Sequence, residues 1–217
     1  MRNLFILLTF YSATAYASTG CDTDYLPFSP DSVLVFDEIP SEYVLKISKS
    51  DRLKVFKRRS EVFVFSRYDS KWHGVQFRDW SSDELKVQLQ ILKIQGVPDP
   101  LIYLKWNDAS RGSGMGEVLS GKILLSFSLK VVYLNIIDRS THYWHDKYGD
   151  NATYKTFNYH HMCLTKINSE GFEVTYNNTC GEKFKISGDG ESASYLEVAK
   201  LAEGKYKFEG GRWRIQL

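Results

Sequence analysis

The chain has 217 residues and a formal net charge of +2, with 43% hydrophobic and 25% charged residues. A globular protein of this length buries roughly 70% of its unfolded surface, enough for one sizeable core. The near-neutral charge argues against nucleic-acid binding and against whole-molecule attraction to acidic membranes, and 3 cysteines are too few to be the main source of stability.

Read in chain order, the first residues carry the pattern of a secretory signal. Arg2 supplies a positive start, Leu4 to Phe10 is an apolar run too short to span a bilayer, and Ala15-Tyr16-Ala17 is a small-x-small cleavage site. Residues 1–17 are therefore expected to be removed, leaving a single secreted β-rich domain over 18–217 with no transmembrane segment. Ser32 to Glu38, Tyr43 to Ser48, Leu53 to Phe56 and Glu61 to Arg67 show the period-2 pattern and β-branched or aromatic enrichment of strands. The clearest alternation is Leu85, Val87, Leu89 and Ile91, with Lys86, Gln88 and Gln90 between them. Leu101 to Trp106 opens a further strand, and Asn107 to Gly121 reads as a Gly- and Ser-rich loop.

Lys122 to Asp138 is the most apolar stretch after the signal. One parity is apolar as far as Tyr133, and from Val132 to Ile137 both parities are, apart from Asn135. That pattern predicts either a strand entering a place covered on both faces, or two strands meeting without a clear turn. Ser140 to Tyr159 reads as a long surface excursion. Met162 to Ile167 and Phe172 to Tyr176 make a hairpin around Asn168 to Gly171, with Cys163 opposite about Tyr176. Ser194 and Glu197 form a capping box ahead of an apolar periodic run stopped by Gly204, which predicts one short C-terminal helix. Strands over 205–209 and 212–217 follow. The fold class expected is mainly β, an antiparallel β sandwich or barrel of about ten strands with that one helix. The order of many strands, a late helix and a final strand is similar to the layout of lipocalin-type barrels, without the Gly-x-Trp signature of their first strand.

Asn151-Ala152-Thr153 and Asn177-Asn178-Thr179 are glycosylation sequons, so Asn151 and Asn177 are expected at the surface of a glycoprotein. In an oxidising compartment the cysteines predict one bridge and one leftover thiol. Proximity favours Cys163 with Cys180, while Cys21 with either partner would tie the amino terminus to the carboxy-terminal half.

Aromatic residues in or beside expected loops, Trp72, Trp80, Trp106, Tyr143 and Trp144, are able to stack on sugars or anchor a protein partner. His73 neighbours the first of them. The bland reading is that they fill a β core. His142, His145 and His160 supply side chains suited to zinc or copper, although strand geometry would send His142 and His145 to opposite faces. The run from Gly116 to Lys122 imitates a phosphate loop, but Ile123 stands where a hydroxyl would hold magnesium and no helix follows. Lys54, Lys57, Arg58 and Arg59 are the one concentrated basic cluster, suited to sulfated glycan or acidic lipid, or to a solvated turn that discourages edge pairing. No nucleophile elbow, zinc-protease motif or Cys-His arrangement is present, so no catalytic residue and no cofactor are assigned. These features predict a secreted, non-catalytic binding module for a glycan or extracellular protein. The alternatives are a lipocalin-like carrier of a small apolar ligand and a secreted hydrolase.

Overall fold

The structure, a computed structural model, describes residues 23–79, 81–112, 115–143, 157–160, 163–175 and 201–216. For 110–112, 115–118, 137–143, 157–160 and 163–165 only the backbone is described. Among the described residues fifteen strands follow in order: β1 (Asp24–Tyr25), β2 (Leu34–Phe36), β3 (Val44–Ser50), β4 (Leu53–Arg58), β5 (Glu61–Tyr68), β6 (Lys71–Arg78), β7 (Lys86–Leu92) and β8 (Leu101–Gly112). Then come β9 (Met115–Leu125), β10 (Val132–Tyr143), β11 (Phe157–His160), β12 (Cys163–Ile167), β13 (Phe172–Thr175), β14 (Gly204–Glu209) and β15 (Arg212–Gln216). They form three antiparallel five-stranded sheets: a front sheet β2-β6-β5-β4-β3, a middle sheet β11-β10-β9-β8-β7 and a back sheet β1-β15-β14-β13-β12.

Alternation decides which side chains fill each layer. In β5, Val62 and Val64 point at the middle sheet while Phe63 and Phe65 point outward. The front core joins those valines and Leu53, Val55, Val75 and Phe77 to Val87, Leu89, Ile102, Leu104, Trp106 and Ile123 of the middle sheet. The back core joins Leu101, Leu124, Leu134 and Ile136 of the middle sheet to Phe172, Val174, Tyr206, Phe208 and Trp213 of the back sheet. The middle sheet is thus covered on both faces along part of its length, the condition expected from the two-parity apolar run. A bulge between Val132 and Leu134 moves β10 from the front core, which Val132 joins, to the back core, which Leu134 joins.

The sandwich-like stacking replaces the barrel alternative: the strands divide among three sheets with edge strands and do not close. Several strand boundaries also differ from expectation. Lys122 to Asp138 is two strands, one of the two readings expected, joined by a turn in which the Leu129 amide donates to the Ser126 carbonyl, the Ser126 amide to the Val131 carbonyl and the Val131 amide to the Ser126 hydroxyl. Leu129 sits at φ 57 and is fully buried in the front core, so burial holds a branched residue in a conformation it disfavours. Asn107 to Gly121 is the β8–β9 hairpin rather than a loop, and part of the expected excursion after Ser140 belongs to β10 and β11.

Strand β6 was invisible as a strand because its hairpin turn uses Asp69 (φ 49) and Ser70 (φ 66) in place of the more legible Asn-Gly. The hairpin β12–β13 and the pair β14–β15 lie where the alternation and the Gly210-Gly211 turn put them. Most of the expected C-terminal helix falls outside the described residues; Leu201 to Glu203, which are described, are not helical. Among the described residues no helix is long and apolar enough to cross a membrane.

Candidate functional site

Trp72 and His73 are strand residues, not loop residues, and both are buried. On the outer face of the front sheet Trp72 joins Tyr43, Phe56, Phe63 and Phe65, with Leu34, Phe36 and Ile39 packed over them. Their rings meet edge to face, as for Tyr43 with Phe63 at 5.2 Å and Phe56 with Phe65 at 5.4 Å. The basic cluster closes this layer. The Lys54 ammonium lies 5.0 Å from the Trp72 ring, and the Arg58 guanidinium lies 5.2 Å from Tyr43 and 5.3 Å from Phe63.

Arg58 also donates to Glu61 at 3.0 Å, which raises its already high pKa, and Lys57 pairs with Asp83 at 3.5 Å. Burial raises the Tyr43 phenol above its ordinary value, against a lowering by Arg58. Trp72 retains 8% of its exposure, too little for a sugar to stack on it. Trp106 is likewise buried, in the front core under the Arg78 guanidinium at 4.9 Å.

His73 lies on the opposite face of β6, across from Ser66 and edge-on to Tyr68 at 5.8 Å. Ser66 Oγ and His73 Nδ1 are both buried without a hydrogen-bond partner. The pair is no nucleophile and base: Ser66 has 0% exposure and so offers no access to a substrate. Asp108, also buried, accepts from the Ser82 amide at 3.0 Å, the Ser82 hydroxyl and Arg78 at 3.4 Å. All its partners are structural, pinning the crossing from front to middle sheet.

Trp80, Trp144, His145, Cys180, Asn151 and Asn177 lie outside the described residues. Tyr143 ends β10 opposite Met115 and Phe157. His142 stands opposite Gly116 and Asn158, and His160 opposite Ser140, so the two histidine positions are one diagonal step apart on neighbouring strands, about 7–8 Å between Cα atoms. Cys163 stands opposite Thr175, one residue from the expected Tyr176, after a bulge between Leu164 and Lys166. Among the described residues no group of three or more His, Cys, Asp or Glu is placed to hold a metal ion.

The glycines read as a phosphate loop belong to β9. At Gly121 the reason is packing: it stands opposite Trp106, whose indole occupies the space a Cβ would take. Gly74 opposite Phe65 repeats the device on the front sheet.

The open polar surface is elsewhere, on the back-facing side of the middle sheet. Register puts Gln88, Lys105 and Lys122 in one cross-strand row and Lys86, Asn107 and Ser120 in the next. One step along the same face, Leu101, Tyr103 and Leu124 are covered by the back sheet. Burial there raises the Tyr103 phenol. Among the described residues the back sheet's longest strand has 6 residues, whereas β8 has 12, so over these residues the middle sheet outruns the back sheet. Where it does, Lys86, Gln88, Lys105, Trp106 and Asn107 line a shallow open depression of about 230 Å³. Lys86, Gln88, Lys105 and Asn107 are exposed, and Lys122 and Ser120 are half-buried.

Sequence reading saw the alternation through Lys86 and Gln88 but missed the site. Its other half comes from strands that only the register brings alongside. Fold and surface together define a three-layer antiparallel β protein with a lysine- and amide-lined patch on an overhanging sheet. No protein family's sequence profile matches this chain, and no curated protein or solved structure matches it.

Proposed function

We propose that this protein is an exported, non-catalytic binding module that engages a glycan or an extracellular protein through the overhanging face of its middle sheet. The observation that carries the reading is the depression lined by Lys86, Gln88, Lys105 and Asn107, exposed donors and acceptors on a rigid strand pair. Of the aromatic side chains first suspected of binding, Trp72 and Trp106 are consumed by packing, while these polar ones are held out to solvent at fixed spacing. Export and glycosylation are supported by the signal-like residues 1–17 and the sequons at Asn151 and Asn177. Against a carrier, both inter-sheet layers are occupied by large side chains such as Trp106, Trp213 and Tyr206.

The test is a glycan array of neutral and acidic sugars run with the full secreted protein, together with product analysis of every bound glycan. Saturable binding without turnover is the expected result. Release of a stoichiometric lipid on organic extraction, or hydrolysis of a bound glycan, would overturn it.

A further inference from the structure

Apart from what the polar face binds, we infer that a second copy of this chain docks on the outer edge of β7, joining two middle sheets through an antiparallel β7–β7 pair. A sheet edge offers a row of main-chain donors and acceptors that invites another strand, so folded proteins blunt their edges. Among the described residues, five of the six sheet edges are blunted: β1 and β2 have 2 and 3 residues, β11 has 4, and β3 and β12 break register. Strand β3 also places Lys46 and Lys49 at its two irregularities. Strand β7 differs from all of these. Its 7 residues keep unbroken register with β8, and its one lysine is the first of them.

The occupant follows from the sequence of the edge itself. Val87-Gln88-Leu89-Gln90-Ile91 reads the same in residue class from either end, which is what a two-fold interface requires, since each residue there meets its symmetric position in the other copy. An axis at Leu89 sets Gln88 opposite Gln90 and Val87 opposite Ile91 across the two copies. The amides then have each other as donor and acceptor, and the β-branched pair extends the apolar side. This pairing also gives Ile91 a cover. Val87 and Leu89, of the same parity, are 6% and 4% exposed in the front core, whereas Ile91 is 57% exposed. On the flanking strand β3, Val44 and Leu45 are exposed too.

Charge selects the antiparallel arrangement. It holds the two Lys86 residues about 20 Å apart along the joined strands, whereas parallel pairing would set them side by side. The same axis brings exposed Asp83 and Glu84, on the chain entering one β7, near exposed Lys93, on the chain leaving the other. Asp83 also faces Lys57 at 3.5 Å and Lys93 donates to the Pro98 carbonyl at 3.3 Å, so these ends add little beside the ladder of main-chain hydrogen bonds. Because the axis is perpendicular to the sheet, the two five-stranded middle sheets become one, and their polar depressions lie on one continuous face.

The experiment is analytical ultracentrifugation of the full protein from about 1 to about 300 μM, the range suited to an interface of one strand pair. Mass should rise from one chain to two. Gln88→Lys/Gln90→Lys and Gln88→Glu/Gln90→Glu, both at exposed positions, oppose like charges across the axis and should each weaken the dimer roughly tenfold or more. Mixing the two variants sets Lys against Glu at both pairs and should restore association to within about threefold of the natural protein.

As a readout that needs no variant, hydrogen exchange of the Lys86–Leu92 amides in the natural protein should slow as concentration rises through the transition, while that of Gly204–Glu209 stays constant. A mass of one chain at every concentration would overturn the inference. So would a dimer undiminished in both double variants, a mixture that stays monomeric, or β7 exchange independent of concentration. Slowing of β7 exchange only by an added extended peptide of unrelated sequence would assign the edge to another protein and overturn it as well. Each of these failures leaves the binding-module reading standing, because that reading rests on the polar face and not on the edge.

Discussion

Two basic regions of the molecule differ in what surrounds their charges. On the outer face of the front sheet, Lys54 and Arg58 lie over aromatic rings, Arg58 meets Glu61 and Lys57 meets Asp83. On the overhanging face of the middle sheet, Lys86 and Lys105 have amide neighbours and a third lysine. In the first region cations seal a hydrophobic layer. In the second, Lys86 and Lys105 are exposed beside the side-chain amides of Gln88 and Asn107. Net charge or a run of basic residues does not separate these cases. The identity of the cross-strand neighbour does.

The comparison breaks most visibly through the rings. Phe65→Ala, at the centre of the sealed cluster, should cost about 3–5 kcal/mol through lost burial and a residual cavity. An unchanged urea midpoint would show that the outer face is not a closed layer. Gly121→Ala should cost about 1–3 kcal/mol, because a methyl there collides with the Trp106 indole. A neutral result in thermal unfolding would mean that the indole relaxes freely.

Arg58→Ala should lose about 0.5–1 kcal/mol of ring contact, partly recovered by Arg58→Lys if charge rather than planarity matters. Three phenols give a pH signature: burial raises Tyr43, Tyr103 and Tyr133, with Asp99 adding to the last. The folded state keeps those protons when the unfolded chain begins to lose them near pH 10. Their contribution is therefore intact below about pH 10 and lost as pH climbs through the raised folded values. Stability measured from pH 8 to 11 that rose over its upper part would contradict this.

The smallest expected effect belongs to the open region. Lys105→Gln, at an exposed strand position, should shift stability by no more than about 0.5 kcal/mol. A loss above that would place Lys105 among the structural cations and erase the contrast.

Much of the strand inventory was legible. Leu85 to Ile91, Glu61 to Arg67 and the two C-terminal strands follow from alternation and from turns such as Gly210-Gly211. What escaped has a local physical cause. Strand β6 hides behind an Asp69-Ser70 turn, and the turn at Leu129 contains a buried leucine where glycine would have announced it. The expected sites fared unevenly: Trp72 and His73 are core residues, and the histidine positions 142 and 160 meet by register although they are far apart in the chain. The lysine patch carried no motif at all.

Alternating apolar and polar side chains have a two-residue period, a property of the local backbone, so the sequence by itself determined that this chain is built from strands and which parity of each is apolar. Which strands lie side by side, where the middle sheet is covered twice, and where it protrudes depend on contacts between distant segments, each requiring a long loop to close. Only the tertiary structure decided that Lys86, Lys105 and Lys122 share one face while Lys54 and Arg58 lie over aromatic rings.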